Sequence, residues 1–140
     1  MRLLITTPAA VIIDDADVAS IRAEDESGSF GILNDHADFL TTLTSSIVSW
    51  RHADGRPGYC AVRRGVLTVT GGREVAVATR EAIVGDDLDV LADTVLARFR
   101  AATDAEQAAR ADVIRLHVMA IRQIVKYLRP ERVQMRGDGM

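Results

Sequence analysis

Val66-Leu67-Thr68-Val69-Thr70-Gly71-Gly72-Arg73-Glu74-Val75-Ala76-Val77 is the stretch that settles how this chain is built. Leu67 and Val69, then Val75 and Val77, alternate with polar or small residues on either side of a glycine pair. A period of two puts one set of side chains on a single face of an extended strand. The Gly71-Gly72 pair suits a tight hairpin turn, which requires positive φ. Outward from this hairpin the same period recurs. Candidate strands are Leu3–Thr6, Val11–Ile13, Val18–Ala23, Phe30–Leu33, Thr42–Trp50 and Tyr59–Arg63. Short strands this dense, punctuated by Gly, Asp and Pro, predict a β-sandwich or flattened barrel over residues 1–85.

Beyond Gly85 the period becomes helical. Leu88, Leu91, Val95 and Phe99 fall at steps of three and four, an apolar stripe along one helix. Thr103-Asp104 offers a break and a cap, with Glu106 close behind. A second stripe follows at Ile114, Val118, Ile121, Val125 and Leu128, ending before Pro130. The reading is therefore mainly β plus α, with a two-helix antiparallel hairpin over 86–130 and a loose tail over 131–140. Charge supports the hairpin. Asp86, Asp87, Asp89, Asp93, Asp104 and Glu106 stand against Arg98 and Arg100, whereas three acids face seven bases from Gln107 onward. Exposed pairs contribute only about 0.2–1 kcal/mol each, so such a hairpin would open readily.

At 140 residues, 48% apolar and 26% charged, the chain suits one globular domain with a small appendage. Aromatic residues make up 4%, so the core must rest on Val, Ile, Leu and Ala. A net charge of −3 argues against nucleic acid, whose phosphates demand a basic surface. Cys60 is the sole cysteine; an internal disulfide is excluded, and it reads as a small buried hydrophobe beside Tyr59 and Val62. No apolar run approaches the ~18 residues that cross a bilayer. The opening turns polar too soon, at Asp14 and Asp15, for a signal peptide. A cytosolic protein is expected, or one held at a membrane through other subunits.

Catalytic constellations are missing. No phosphate loop is present; Gly55-Arg56-Pro57-Gly58 and Gly71-Gly72-Arg73 read as turns. His36, His52 and His117 lack metal-ligand spacing with one another or with Cys60. Asp35, His36 and Asp38 would either hold a metal or do acid–base work, or simply satisfy backbone groups of a loop. Asp86, Asp87 and Asp89 lack the glycine-containing loop of a calcium site and suit the cap of the first helix. Trp50 and Tyr59 are too isolated to stack bases. No cofactor and no metal is implied.

Ser27-Gly28-Ser29-Phe30-Gly31-Ile32-Leu33-Asn34-Asp35-His36-Ala37-Asp38-Phe39-Leu40-Thr41 resembles the signature of F-type ATP synthase epsilon subunits, G-[ED]-[FL]-G-[IV]-L-P-G-H-A-P-L-L-T. Gly28, Phe30, Gly31, Ile32, Leu33, His36, Ala37, Leu40 and Thr41 match. The opening Leu4-Ile5-Thr6-Thr7-Pro8 and the late hairpin also resemble the family, strongly over residues 3–85 and by pattern beyond. Asn34-Asp35 replaces Pro-Gly and Asp38-Phe39 replaces Pro-Leu; Asn and Asp tolerate left-handed backbone and form side-chain turns, so the loop can survive the change. The His-Ala-Asp-Phe-Leu-Thr run is similar to the alternate, often sodium-translocating, branch.

The resemblance implies a non-catalytic subunit of the central stalk, with gamma, the c-ring and the catalytic beta subunits as partners. It would reside on the cytoplasmic face of a bacterial inner membrane and meet the membrane only through the complex. Ser29 and the Gly28–Gly31 turn, with Phe30, fall where the family contacts the c-ring; Thr7 and His36 fall near the gamma-facing surface. Each is equally a structural turn residue. In the family the helical hairpin is regulatory and, extended along gamma, reaches an acidic segment of the beta subunits and blocks hydrolysis. Arg115, Arg122 and Arg129 recur every seven residues on one face with Lys126 nearby. Such a stripe suits carboxylates, or a solvated face pairing with the acidic first helix. Some members bind ATP through [IL]-D-x-x-R-A. Here Leu88-Asp89-Val90-Leu91-Ala92-Asp93 keeps the aspartate but puts Ala92 and Asp93 at the arginine and alanine positions. Losing the cation and gaining an acid opposes tight ATP binding there. The competing reading is a free-standing ligand-binding β-sandwich with a helical oligomerisation tail, which needs a pocket with aromatic walls.

Overall fold

The structure, a computed structural model, describes residues 1–138, with side chains through Leu128. The strands are β1 (Arg2–Thr6), β2 (Val11–Asp15), β3 (Val18–Asp25), β4 (Gly28–Leu33), β5 (Phe39–Leu43), β6 (Ser46–His52), β7 (Pro57–Val62), β8 (Gly65–Thr70), β9 (Glu74–Ala78) and β10 (Ala82–Gly85). One layer runs β10-β7-β6-β3-β4 and the other β5-β8-β9-β1-β2. They join where Asp25 of β3 pairs with Leu43 of β5. The result is a ten-stranded β-sandwich, nearly a closed barrel. All pairings are antiparallel except β1 with β9.

The predicted hairpin is present as β8 and β9, with Gly71 at φ 62° and Gly72 at φ 69°. Its alternating set, Leu67, Val69, Val75 and Val77, is at most 3% exposed and meets Leu3, Ile5, Ile32, Leu43, Val48 and Trp50 in one core. Burying each such side chain is worth roughly 1.5–3 kcal/mol. The single strand expected over Thr42–Trp50 is two. The chain turns at Thr44-Ser45 from the β8 side to the β3 and β7 side. There Thr44 N–H donates to Glu24 O at 3.2 Å and Ser46 Oγ to Thr44 O at 2.9 Å, which satisfies the backbone groups of Thr44. Strand β10 escaped the sequence reading because four residues are too few to display a period.

The helical part opens with α1 (Leu88–Val90), passes through a π-helical stretch (Leu91–Leu96) and continues as α2 (Ala97–Asp138). Asp87 caps it, its carboxylate accepting from the N–H groups of Asp89 and Val90. The first predicted stripe holds at Leu91, Val95 and Phe99 but not at Leu88, which is exposed, and its partner differs. Leu91 and Phe99, with Val95, pack on Ala61, Ile47, Tyr59 and Ile83, the outer face of β6, β7 and β10. Leu91 and Leu96, five apart, are both buried, in keeping with i→i+5 winding.

The expected helical hairpin is not present. Helix α2 runs unbroken through Thr103-Asp104. Neither Gly nor Pro occurs from Asp86 to Arg129, and the run Ala101–Ala111 is rich in Ala, Arg, Glu and Gln. That propensity outweighs one Thr-Asp pair suited to a cap. The chain divides into two compact units after Ala102. Every described side chain from Ala105 to Leu128 is exposed except Glu106, which is half-buried. Helix α2 also runs past the end expected before Pro130 and through the tail expected over 131–140 as far as Asp138; the side chains from Arg129 onward lie outside the described residues.

Candidate functional site

The motif loop Asn34–Asp38 follows β4 and locks onto the Gly71-Gly72 turn. Arg73 N–H closes that turn on Thr70 O at 3.3 Å. Asp35 stands at φ 63°, a left-handed position that Asp tolerates. Its N–H donates to Gly72 O at 2.9 Å, and Gly71 N–H donates to Asp38 Oδ1 at 2.9 Å. A Cβ on Gly72 would sit 2.9 Å from Asp35 Cα, so the two turns touch backbone to backbone. His36 Nδ1 lies 2.7 Å from Ala37 O, as a donor, and its ring meets Phe39 edge-on at 5.8 Å. Phe39 in turn meets Phe30 at 5.6 Å. Asp35 through its N–H and Asp38 through its carboxylate therefore tie the loop to the turn, and His36 turns back on the loop itself. Among the described residues no group of His, Cys, Asp and Glu has metal-holding geometry.

The other end of the motif closes on Asp25. Ser27, through its hydroxyl and its N–H, and Thr41, through Oγ1 at 2.8 Å, donate to the Asp25 carboxylate. These bonds, the Ser27 hydroxyl first, hold that carboxyl below the usual range. Gly28, at φ 122°, turns the chain into β4, so the expected Gly28–Gly31 turn is strand, and the turn itself is Glu26-Ser27. Ser29 lies opposite Glu24, half-buried Phe30 opposite Ala23, and Gly31 opposite Arg22.

Thr7 forms a separate turn, its N–H donating to Ala10 O at 2.9 Å. Parallel pairing of Arg2 with Glu74 and of Thr6 with Ala78 puts Thr7 at the opposite end of the strands from Gly71-Gly72 and His36. The structure therefore does not bring Thr7 and His36 together; the Gly28 turn shares the Thr7 end instead. Arg115, Arg122 and Lys126 are exposed on α2, and among the described residues none is ion-paired.

One surface escaped the sequence reading. On the outer face of β5, β8, β9 and β1, one row is Leu40, Thr68, Ala76, Leu4 and the next is Thr42, Val66, Ala78, Thr6. Leu40 is 71% exposed and Val66 41%. The two rows hold no charge; the bidentate Arg2–Asp14 pair closes one border. The signal was legible in principle, since the solvent-side positions of β8 and β9 hold Val, Thr and Ala, with Glu74 alone charged, where charges are usual.

Comparison with known proteins adds the family. Residues 1–85 match the family described as ATP synthase, Delta/Epsilon chain, beta-sandwich domain. The chain is 42% identical over 132 residues to the ATP synthase epsilon chain 2 of Paraburkholderia xenovorans, covering 94% of this chain and 95% of that one. It is 43% identical over 128 residues to the epsilon chain 2 of Cereibacter sphaeroides, covering 91% and 88%. A chain of the Euglena gracilis mitochondrial ATP synthase, solved with its c-ring, shares the fold at a TM-score of 0.57 and 23% identity, over 78% of this chain and 62% of that one.

Proposed function

This chain belongs to the ATP synthase epsilon-chain family, and on that premise we propose that it is a non-catalytic central-stalk subunit joining gamma to the c-ring. The observation that carries the reading is the pair of uncharged rows across β5, β8, β9 and β1, with exposed Leu40 and Val66, beside the locked motif loop. Interfaces are poor in charge at their centres, as this face is. It is the docking surface for gamma. The Glu26-Ser27 turn and the Gly28–Gly31 start of β4 that follows it, with Ser29 exposed, meet the c-ring. Torque passes through a sandwich whose core is closed and whose turns are tied to one another, so little motion is lost inside the subunit.

Regulation lies in residues 86–130. Extended along gamma, α2 offers Arg115, Arg122, Lys126 and Arg129 to an acidic segment of the catalytic beta subunits and so restrains hydrolysis. The exposed row Ile114, Val118, Ile121, Val125 and Leu128 favours an apolar partner for the same helix. The subunit resides on the cytoplasmic face of the membrane through its complex, and among the described residues no helix is long and apolar enough to cross.

The test is co-purification of the full chain with gamma and the catalytic head from its own source. Leu40→Asp and Val66→Lys should abolish gamma binding while leaving the circular dichroism spectrum native. Retained binding by both variants would refute the assigned face. A second reading, self-association through α2, is favoured by the same exposed apolar row; sedimentation of the isolated chain as a monomer removes it.

A further inference from the structure

The outer face of the other layer holds a cleft of about 390 Å³ across β4, β3, β6 and β7. Its walls follow from the register. Gly31, Arg22, Ser49 and Tyr59 form one row, and Ser20 and Arg51 lie in the next. Arg22 and Arg51 are thus diagonal neighbours on one face, with Cα atoms roughly 7–8 Å apart. A hydroxyl from Ser20 and one from Ser49 complete the square between them. Gly31 leaves the floor open because it has no side chain. Tyr59 forms the far wall, held by the Ala61, Leu91 and Phe99 cluster behind it.

The charge of this cleft runs against that of the chain. The protein carries 20 acidic residues against 17 basic, yet the only ionisable side chains of formal charge lining the cleft are the two arginines. Glu24 follows on the same face of β3 but pairs with Ser29 and does not line it. Arg51 gives one N–H to Gly55 O at 3.2 Å and keeps the rest of its fork free. Arg22 has no ion pair among the described residues. Two like charges held side by side repel unless an anion lies between them. Guanidinium forks with hydroxyls between them suit the oxygens of a phosphate group.

We propose that this cleft binds a phosphate group, carried by a small soluble phosphate compound or by an anionic lipid headgroup, between Arg22 and Arg51. The site lies on the other layer from the uncharged rows, so it adds a ligand to the subunit without competing for that surface.

Trp50 is the sole tryptophan and its strand lines the cleft, so its fluorescence reports occupancy. The full chain would be titrated with inorganic pyrophosphate, and in parallel floated with phosphatidylglycerol vesicles and with neutral phosphatidylcholine vesicles. Saturable pyrophosphate binding, weakened at least tenfold by Arg22→Gln and by Arg51→Gln but unchanged by Arg73→Gln, establishes a soluble source. Flotation with the anionic vesicles alone, showing the same dependence, establishes the lipid source. Gly31→Val separates shape from charge. A Cβ at that position meets only Ile21 O, at 3.8 Å, so the variant folds, but it fills the floor and should abolish binding with both arginines in place. Absence of binding to both probes, or equal loss with Arg73→Gln, overturns the proposal.

Discussion

Gly72→Ala is the sharpest probe of the motif loop, because Gly71→Ala next to it is an internal control. Both glycines have left-handed backbone, at φ 69° and 62°, and a non-glycine residue there costs roughly 1–2 kcal/mol. They differ in surroundings. A Cβ on Gly71 meets nothing within 4 Å, whereas one on Gly72 lies 2.9 Å from Asp35 Cα and 3.3 Å from its carbonyl carbon. Backbone cannot swing away as a side chain does, so the Asn34–Asp38 loop must lift. Lifting it strains the Asp35-to-Gly72 and Gly71-to-Asp38 hydrogen bonds, each worth about 0.5–1.5 kcal/mol net. Gly71→Ala should therefore cost about 1–2 kcal/mol and Gly72→Ala about 2–5 kcal/mol. Urea denaturation of the two variants would read the difference as a shift in midpoint at constant m. A double-mutant cycle completes the test: Asp38→Ala should cost less in the Gly72→Ala background, where its bond is already lost. Equal destabilisation by the two alanines, or full additivity with Asp38→Ala, would refute the interlock.

Truncation after Ala102 should leave the unfolding midpoint of the sandwich nearly unchanged, because the described side chains beyond it are almost all exposed. Truncation after Gly85 removes Leu91 and Phe99 from the outer face of β6, β7 and β10 and should lower the midpoint clearly. Phe99→Ala alone should cost about 3–5 kcal/mol by the same denaturation assay. Thr41→Val removes a donor from Asp25 and should raise its carboxyl toward the ordinary value, read by NMR titration. Because that carboxyl is held low in the folded state, the stability these bonds supply is present above the ordinary Asp range. It disappears as pH falls through the lowered value, and Thr41→Val should flatten that acid limb. Cys60 is fully buried and its thiol is pushed up to about 11 by desolvation; it should react with a disulfide reagent at pH 8 only at the rate of unfolding.

The positions whose work is local were legible in the sequence. Leu67, Val69, Val75 and Val77 revealed a strand pair because alternation depends only on which face each residue presents, and the glycine pair marked its turn through backbone freedom alone. Leu91, Val95 and Phe99 likewise announced one buried helix face. The sequence also offered the motif from Ser27 to Thr41, and so the family. Tertiary structure decided the rest, since partners depend on where distant segments meet. The stripe at Leu91 and Phe99 was visible, but periodicity does not say whether a helix or the outer side of a sheet covers it. Thr103-Asp104 matched a cap locally, yet an alanine-rich helix ran through it. Asp38 and Gly71, Thr41 and Asp25, and Arg22 and Arg51 lie far apart along the chain. Their meetings follow from strand register, which is set only when every buried residue of the sandwich finds its place at once.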